Sequence, residues 1–268
     1  KELWLYLKTA AEIIVKANGK FVGGIDPNRD RVLLTPYIGT PDKIKFEMQG
    51  YNRSKPDDER NPESLAVRGC RQIFNGADLV TINRDVQSLV SYIETLLDIA
   101  KSELFNEDYR KFVNAELNNA LNLIDFDTDS RPTGIKEAKK YVNAVILENK
   151  NDTGSGDVAL VAHSHLDIAY YWRRIHAVQK NLRTVLIQLR LMDRYPEFKY
   201  THTQAYTYES LKQYYPEVFE ELKKRVKEGR FEPVGAMYIE PDCNIPSAES
   251  LIRQCFYIWR SSKAISKD

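Results

Sequence analysis

Apolar side chains in the first fifty residues recur at every second position or in short runs. Leu3, Leu5 and Leu7 alternate with Trp4, Tyr6 and Lys8, the period of a half-buried strand. In "AEIIVKANGKFVGGID" the pair Asn18-Gly19 separates two apolar runs, and because both residues tolerate positive φ it predicts a two-residue hairpin. "RVLLTPY" and "DKIKFEMQGY" add two strands, and this succession of short strands predicts a sandwich-like domain over 1–80. The polar, Pro-bearing stretch "NRSKPDDERNP" at 52–62 reads as a loop. From residue 84 the period lengthens. Val86, Leu89, Val90, Ile93, Leu96, Leu97 and Ala100 fall on one face of an amphipathic helix, and similar patterns cover about 107–124 and 134–148. A helical connector is therefore expected over 81–155, ending in the small polar linker "NDTGSGD" at 151–157.

Beyond the linker the pattern alternates. Residues 158–162 are apolar throughout, as in a parallel strand covered on both faces. Ile175, Val178, Leu182, Val185, Leu186 and Leu189 keep helical spacing, and "FKYTHT" at 198–203 reads as a second strand. "PEVFEELKKRVKEGR" opens on Pro216 and stops at Gly229, the asymmetry of a helix start and stop. "FEPVGAMYIE" at 231–240 reads as a third strand. Residues 156–268 are thus expected to form the first part of an α/β domain with a mainly parallel sheet, and the fold as a whole to be mixed. Sheets of this kind bind ligands at the carboxyl ends of their strands, where "HSHLD" and "EPDCN" fall.

Composition narrows the function. The 39 basic and 38 acidic residues leave a net charge of +1, which gives no footprint for a nucleic-acid partner. No apolar stretch has spanning length, so no membrane association is expected. Cys70, Cys243 and Cys255 are odd in number and far apart, with no CxxC pair, which fits a reducing, cytoplasmic setting. The chain opens inside a strand-like pattern without an initiator Met and is read as a fragment; a homo-oligomer remains open.

His165 and Asp167 stand in His-x-Asp spacing just past a strand end, where an imidazole nitrogen and a carboxylate oxygen can converge on Zn²⁺. Satisfying backbone groups at the loop start is the alternative. His163, two residues earlier, could ligate, support His165 or belong to the core; His202 is read as structural, and His176, placed on an exposed helix side, has no assigned role. Asp242 could bind sugar hydroxyls or cap the following helix. Tyr170, Tyr171 and Trp172 are either core or, if a ring is exposed, a stacking face for a sugar.

"AHSHLDIAYYW", followed some fifty residues on by "EVFEELKKRVKEGRFEPVGAMYIEPDCNIPSAESLIRQ", resembles glycoside hydrolase family 38, the α-mannosidases of bacteria and of the eukaryotic cytosol or vacuole. The resemblance implies a retaining mechanism with one Zn²⁺ held by two His and two Asp, and places the family's H-x-D motif on His165 and Asp167. It also implies a mannose-containing glycan or oligosaccharide as substrate, with Tyr170, Tyr238 and Asp242 as substrate-binding positions. Tyr170 and Tyr238 stand where the family usually has Trp, which bears on substrate preference. No segment matches the family's nucleophile motif, so the nucleophile is expected after Asp268, no catalytic residue is assigned, and activity is expected to need further C-terminal sequence. Two alternatives stay open at this stage. One is a metallo-β-lactamase-like hydrolase, although its His-x-His-x-Asp-His motif is broken by Ile168; the other is a non-catalytic sugar-binding module built on the β domain.

Overall fold

The structure, a computed structural model, describes residues 2–9, 11–26, 28–39, 42–51, 74–147, 159–169, 172–235 and 237–262. The expected loop at 52–62 and linker at 151–157 lie outside these residues. The chain divides into two compact units, one made of Lys1–Val80 with Ala159–Asp268 and the other of Thr81–Val158.

The first unit begins with two small sheets. One orders β4 (Arg31–Leu33), β1 (Leu3–Leu7) and β6 (Ala77–Thr81); the other orders β3 (Lys20–Ile25), β2 (Glu12–Ala17) and β5 (Phe46–Tyr51). The hairpin β2–β3 turns on Asn18 at φ 49° and Gly19 at φ 79°, the doubly left-handed conformation that matches strand twist. Leu5, Leu7, Ile13, Val15, Val22, Ile25 and Val32 fill one core between the sheets. "RVLLTPY" is shorter as a strand than its pattern suggests. Pro36 starts the single-turn α1 (Thr35–Ile38), and Thr35 Oγ1 accepts the Leu3 amide at 2.6 Å.

The second unit is helical, with α2 (Arg84–Lys101), α3 (Glu107–Leu121) and α4 (Arg131–Val142), the last running into a π turn at Asn143–Leu147. Asn83 caps α2 by accepting the Asp85 and Val86 amides, and Asn106 caps α3 through the Tyr109 amide at 2.7 Å. Leu89, Leu96, Val113, Leu117, Ala138 and Val142 form its core. Gly134 permits the close approach of α4, since a Cβ there would stand 2.4 Å from the Leu123 carbonyl oxygen.

The first unit then resumes with β7 (Ala162–His163), α5 (Arg174–Arg194), β8 (Tyr200–His202), α6 (Ala205–Tyr214), α7 (Pro216–Lys227), β9 (Phe231–Pro233) and α8 (Ala248–Ser262). β7, β8 and β9 form a parallel sheet in that order. Leu182, Val185, Leu186 and Leu189 of α5 pack with Leu211, Phe219, Leu222, Tyr200 and Phe231, and also with Ile14 and Phe21 of the antiparallel sheet. The β strands of residues 1–80 therefore share a second core with the α/β portion, besides the one between their own sheets.

Two expected strands are shorter than anticipated. β7 covers only the end of 158–162, and Leu160 and Val161 are 92% and 68% exposed, so no described element covers them. β9 stops at Pro233, which has no amide proton, and Gly235 at φ 100° then turns the chain out of extended conformation. Among the described residues, no helix is long and apolar enough to cross a membrane.

Charged pairs fasten α5 to the antiparallel sheet. The Glu12 carboxylate accepts Lys180 Nζ at 2.6 and 2.7 Å and also accepts Arg183 Nη1. Arg190 donates to the Phe21 and Val22 carbonyls and to Glu221. Burial works to raise the Glu12 pKa, but Arg183 and Lys180 outweigh it and hold it below its ordinary value of 4.5. Stability from this group is thus fully present above the unfolded value and is lost as pH falls through the lower folded one. Glu12→Ala removes the carboxylate that Lys180 and Arg183 share and is expected to cost about 3 kcal/mol in urea unfolding at pH 7. The deficit should shrink as pH falls below about 4.5; a deficit unchanged at pH 3 would contradict the assignment.

Candidate functional site

The carboxyl ends of the three parallel strands carry the chemistry. The loop after β7 is pinned by its backbone: Gln204 Nε2 donates to the Leu166 carbonyl at 2.9 Å and Trp172 Nε1 donates to the Asp167 carbonyl at 2.9 Å. Leu166 is buried between them, so the flanking His165 and Asp167 side chains face solvent. Gln204 holds its position at φ 70°, a backbone conformation that costs a non-glycine residue on the order of 1 kcal/mol and is tolerated where surroundings enforce it.

His165 sits between two carboxylates. Its Nε2 is 3.0 Å from Asp167 Oδ1, and its Nδ1 bonds Glu240 from the loop after β9. Glu240 also accepts the Thr203 hydroxyl, and His163 Nε2 lies 3.8 Å from its Oε1. Partial burial tends to lower the His165 pKa, but the hydrogen bonds to Glu240 and then Asp167 outweigh it and raise the value above 6.5. Burial likewise tends to raise the Glu240 pKa, and the bonds from Thr203 and His165 bring it below 4.5.

Two ligand atoms on a tetrahedral zinc, each about 2.0–2.1 Å from the ion, stand roughly 3.3 Å apart. The 3.0 Å spacing of His165 Nε2 and Asp167 Oδ1 is close to that edge, and nitrogen with oxygen is a donor set zinc accepts. Among the described residues no group of three or more His, Cys, Asp and Glu is placed to hold a metal. The pair fits two positions of a four-coordinate site.

The remaining candidates separate. His163 Nδ1 donates to the Thr201 carbonyl at 3.2 Å, a position beside the pair. His176 is half-buried, not exposed as the helical pattern suggested; its Nδ1 accepts the Arg173 amide at 3.3 Å and its ring packs on Tyr51. Trp172 is half-buried under Lys180 Nζ at 4.6 Å. Tyr238 donates its hydroxyl to Glu209 Oε2 at 2.7 Å and packs edge-on against Tyr206, so its ring is part of a cluster. Asp242 is exposed and accepts the Asn244 amide at 2.7 Å. Tyr170 and Tyr171 lie outside the described residues. Spacing does not single out Glu240 and Thr203, because Glu240 is 75 residues from its partner His165 and Thr203 is 37 residues from its partner Glu240; an acid at a strand's carboxyl end is the available signal for Glu240.

Imidazole and carboxylate groups gathered at the carboxyl ends of a parallel sheet stand where α/β folds bind their ligands. Residues 155–262 match the family described as glycosyl hydrolases family 38 N-terminal domain, and this portion of the chain is of that family. It is 33% identical over 184 residues to alpha-mannosidase G of Dictyostelium discoideum, covering 68% of this chain and 16% of that protein. It is 30% identical over 178 residues to alpha-mannosidase 2C1 of Homo sapiens, covering 66% of this chain and 17% of that protein. A Saccharomyces cerevisiae alpha-mannosidase is 31% identical over 191 residues, covering 68% and 18%. The chain thus spans about a sixth of the length of these relatives. Family membership sets the lactamase-like alternative aside.

His202 ends β8 fully buried, and neither ring nitrogen meets a hydrogen-bond partner among the described residues. Burial, with a smaller contribution from His163, pushes its pKa down to about 4. The folded state therefore keeps His202 neutral while the unfolded chain takes up a proton near 6.5, so stability is lost as pH falls from about 6.5 to 4. His202→Leu is expected to remove a pH-dependent loss on the order of 3 kcal/mol over that window. Urea unfolding of both proteins at pH 7 and pH 4.5 checks this; parallel losses would show that another group governs the acid limb.

Proposed function

We propose that this chain supplies part of the active site of a zinc-dependent, retaining α-mannosidase that removes terminal α-mannose from glycans or oligosaccharides. The observation that carries the reading is the meeting of His165, Asp167 and Glu240 at the carboxyl ends of parallel strands, inside the stretch that matches family 38. The names of the relatives support the substrate class. The exposed free thiols of Cys243 and Cys255 favour a reducing, cytoplasmic setting.

In this reading His165 Nε2 and Asp167 Oδ1 hold the metal, which when bound supplies Lewis-acid polarisation and a template for sugar hydroxyls. The protein's own contribution is rigidity. Gln204 and Trp172 fix the loop carbonyls, so the two side chains emerge at set positions. Asp242, exposed two residues after Glu240, is in this reading the carboxylate that meets a polar group of the sugar. A retaining glycosidase needs two carboxyl groups about 5 Å apart, one as nucleophile and one to protonate the leaving oxygen.

In the full-length protein His165→Ala is expected to lose bound zinc and hydrolysis of an aryl α-mannoside together. The loss should exceed the roughly 10–100-fold that removing an outer hydrogen-bond partner costs. Metal analysis and steady-state kinetics on one preparation decide it; stoichiometric zinc with normal turnover would refute the assignment. Asp242→Asn serves as the companion variant. Retained zinc with a raised KM is expected there, as for a substrate-binding position; loss of zinc would instead make Asp242 a ligand.

A further inference from the structure

The two ring nitrogens of His165 face opposite ways, and the two carboxylates they meet differ in their surroundings. Asp167 lies on the Nε2 side with its side chain 41% exposed, whereas Glu240, on the Nδ1 side, is 28% exposed. Both Glu240 oxygens are already engaged, Oε1 by the Thr203 hydroxyl and Oε2 by His165. An ion bound at Nε2 cannot also be reached by a carboxylate on the far edge of the same ring.

The loop that delivers Glu240 is held along its length. The Tyr206 amide donates to the Tyr238 carbonyl at 3.0 Å, and the Ile239 amide donates to Gln254 Oε1 at 2.9 Å. The Tyr238 hydroxyl is tied to Glu209. Gly235 brings the start of the loop against Thr203: a Cβ at this left-handed position would stand 3.3 Å from Thr203 Cβ. Glu240 is therefore presented to His165 by a braced segment anchored on α6 and α8.

From this arrangement we infer that Glu240 is a positioning residue for His165. It accepts the hydrogen bond from Nδ1–H, fixes the ring's orientation and tautomer, and leaves the Nε2 lone pair to ligate on the Asp167 side. Thr203 orients Glu240 in turn. Ligating histidines characteristically give their other ring N–H to a carboxylate or carbonyl, and losing such a partner lowers metal affinity 10–100-fold. This inference rests on the zinc reading of the site given above and gives Glu240 a role that reading leaves open.

The test is zinc affinity of the full-length protein, measured by competition with a chromophoric chelator, for wild type, Glu240→Ala, Glu240→Gln, Thr203→Val and His165→Ala. Glu240→Ala should weaken binding about 10–100-fold. Glu240→Gln, whose amide oxygen can still accept from Nδ1, should recover most of that loss, and Thr203→Val should show a smaller defect. At saturating zinc, kcat for Glu240→Ala should return towards wild type, as expected for a group that positions a ligand and does not touch substrate. Co²⁺ absorption reports the ligand field independently and should shift in Glu240→Ala but not in Glu240→Gln. Wild-type affinity in Glu240→Ala, with zinc lost in His165→Ala, would overturn the role of Glu240 alone. Wild-type affinity in both would overturn the metal site and this inference together. Should Glu240→Ala fail to fold, Glu240→Gln and the similarly sized, weakly accepting Glu240→Met carry the test: near-wild-type affinity in Gln with a roughly 10–100-fold loss in Met supports the hydrogen-bond role, whereas wild-type affinity in both, or a loss in Gln as severe as in His165→Ala, overturns it.

Discussion

Helix α5 must be buried on two sides at once, and the first unit is organised around that demand. Its apolar positions Leu182, Val185, Leu186 and Leu189 lie between the antiparallel sheet and the α6–α7 pair, with the parallel strands Tyr200 and Phe231 in the same core. A helix enclosed in this way carries few tolerable polar groups, yet Lys180 and Asn181 are both buried. Each donates to a different neighbour. Lys180 meets Glu12 of β2, while Asn181 Nδ2 donates to the Thr207 carbonyl at 2.7 Å and to Ser210 Oγ at 3.1 Å in α6. Buried polar groups cost free energy unless paired, so these contacts set the height of the helix against both layers. That in turn sets where the strand ends, and the site, can be.

Much of this architecture is legible along the chain. Asn18-Gly19 marks a hairpin because two consecutive left-handed residues are needed there, and Pro216 and Gly229 bracket α7 for equally local reasons. Helix α6 leaves no such trace. Two of its buried positions are Thr207 and Ser210, whose hydroxyls are satisfied by the Gln204 and Thr207 carbonyls, so no apolar stripe announces it. The extent of β7 was misjudged for a different reason. An apolar run shows that side chains prefer burial, but the elements that would cover Leu160 and Val161 cannot be read from the run itself.

The site divides along the same line. His165 and Asp167 are visible as a pair because they are two residues apart, and their 3.0 Å approach is a local consequence of the loop. Glu240 reaches His165 only through the parallel pairing of β7, β8 and β9, a tertiary fact with no sequence period. Gly235 and Pro233 did carry a signal: together they end β9 early and free the following loop to fold back on Thr203. Spacing arguments identify groups on one loop; the groups that orient them come from other strands.

The central claim is that zinc binds at the Nε2 edge of His165, beside Asp167. The most direct measurement is a crystal structure of the full-length protein with anomalous data collected on both sides of the zinc absorption edge. A single strong peak is expected about 2.0–2.2 Å from His165 Nε2 and from an Asp167 oxygen, with Glu240 still bonded to Nδ1. A peak on the Nδ1 side, coordinated by Glu240, or no edge-dependent peak within reach of His165, would contradict the account.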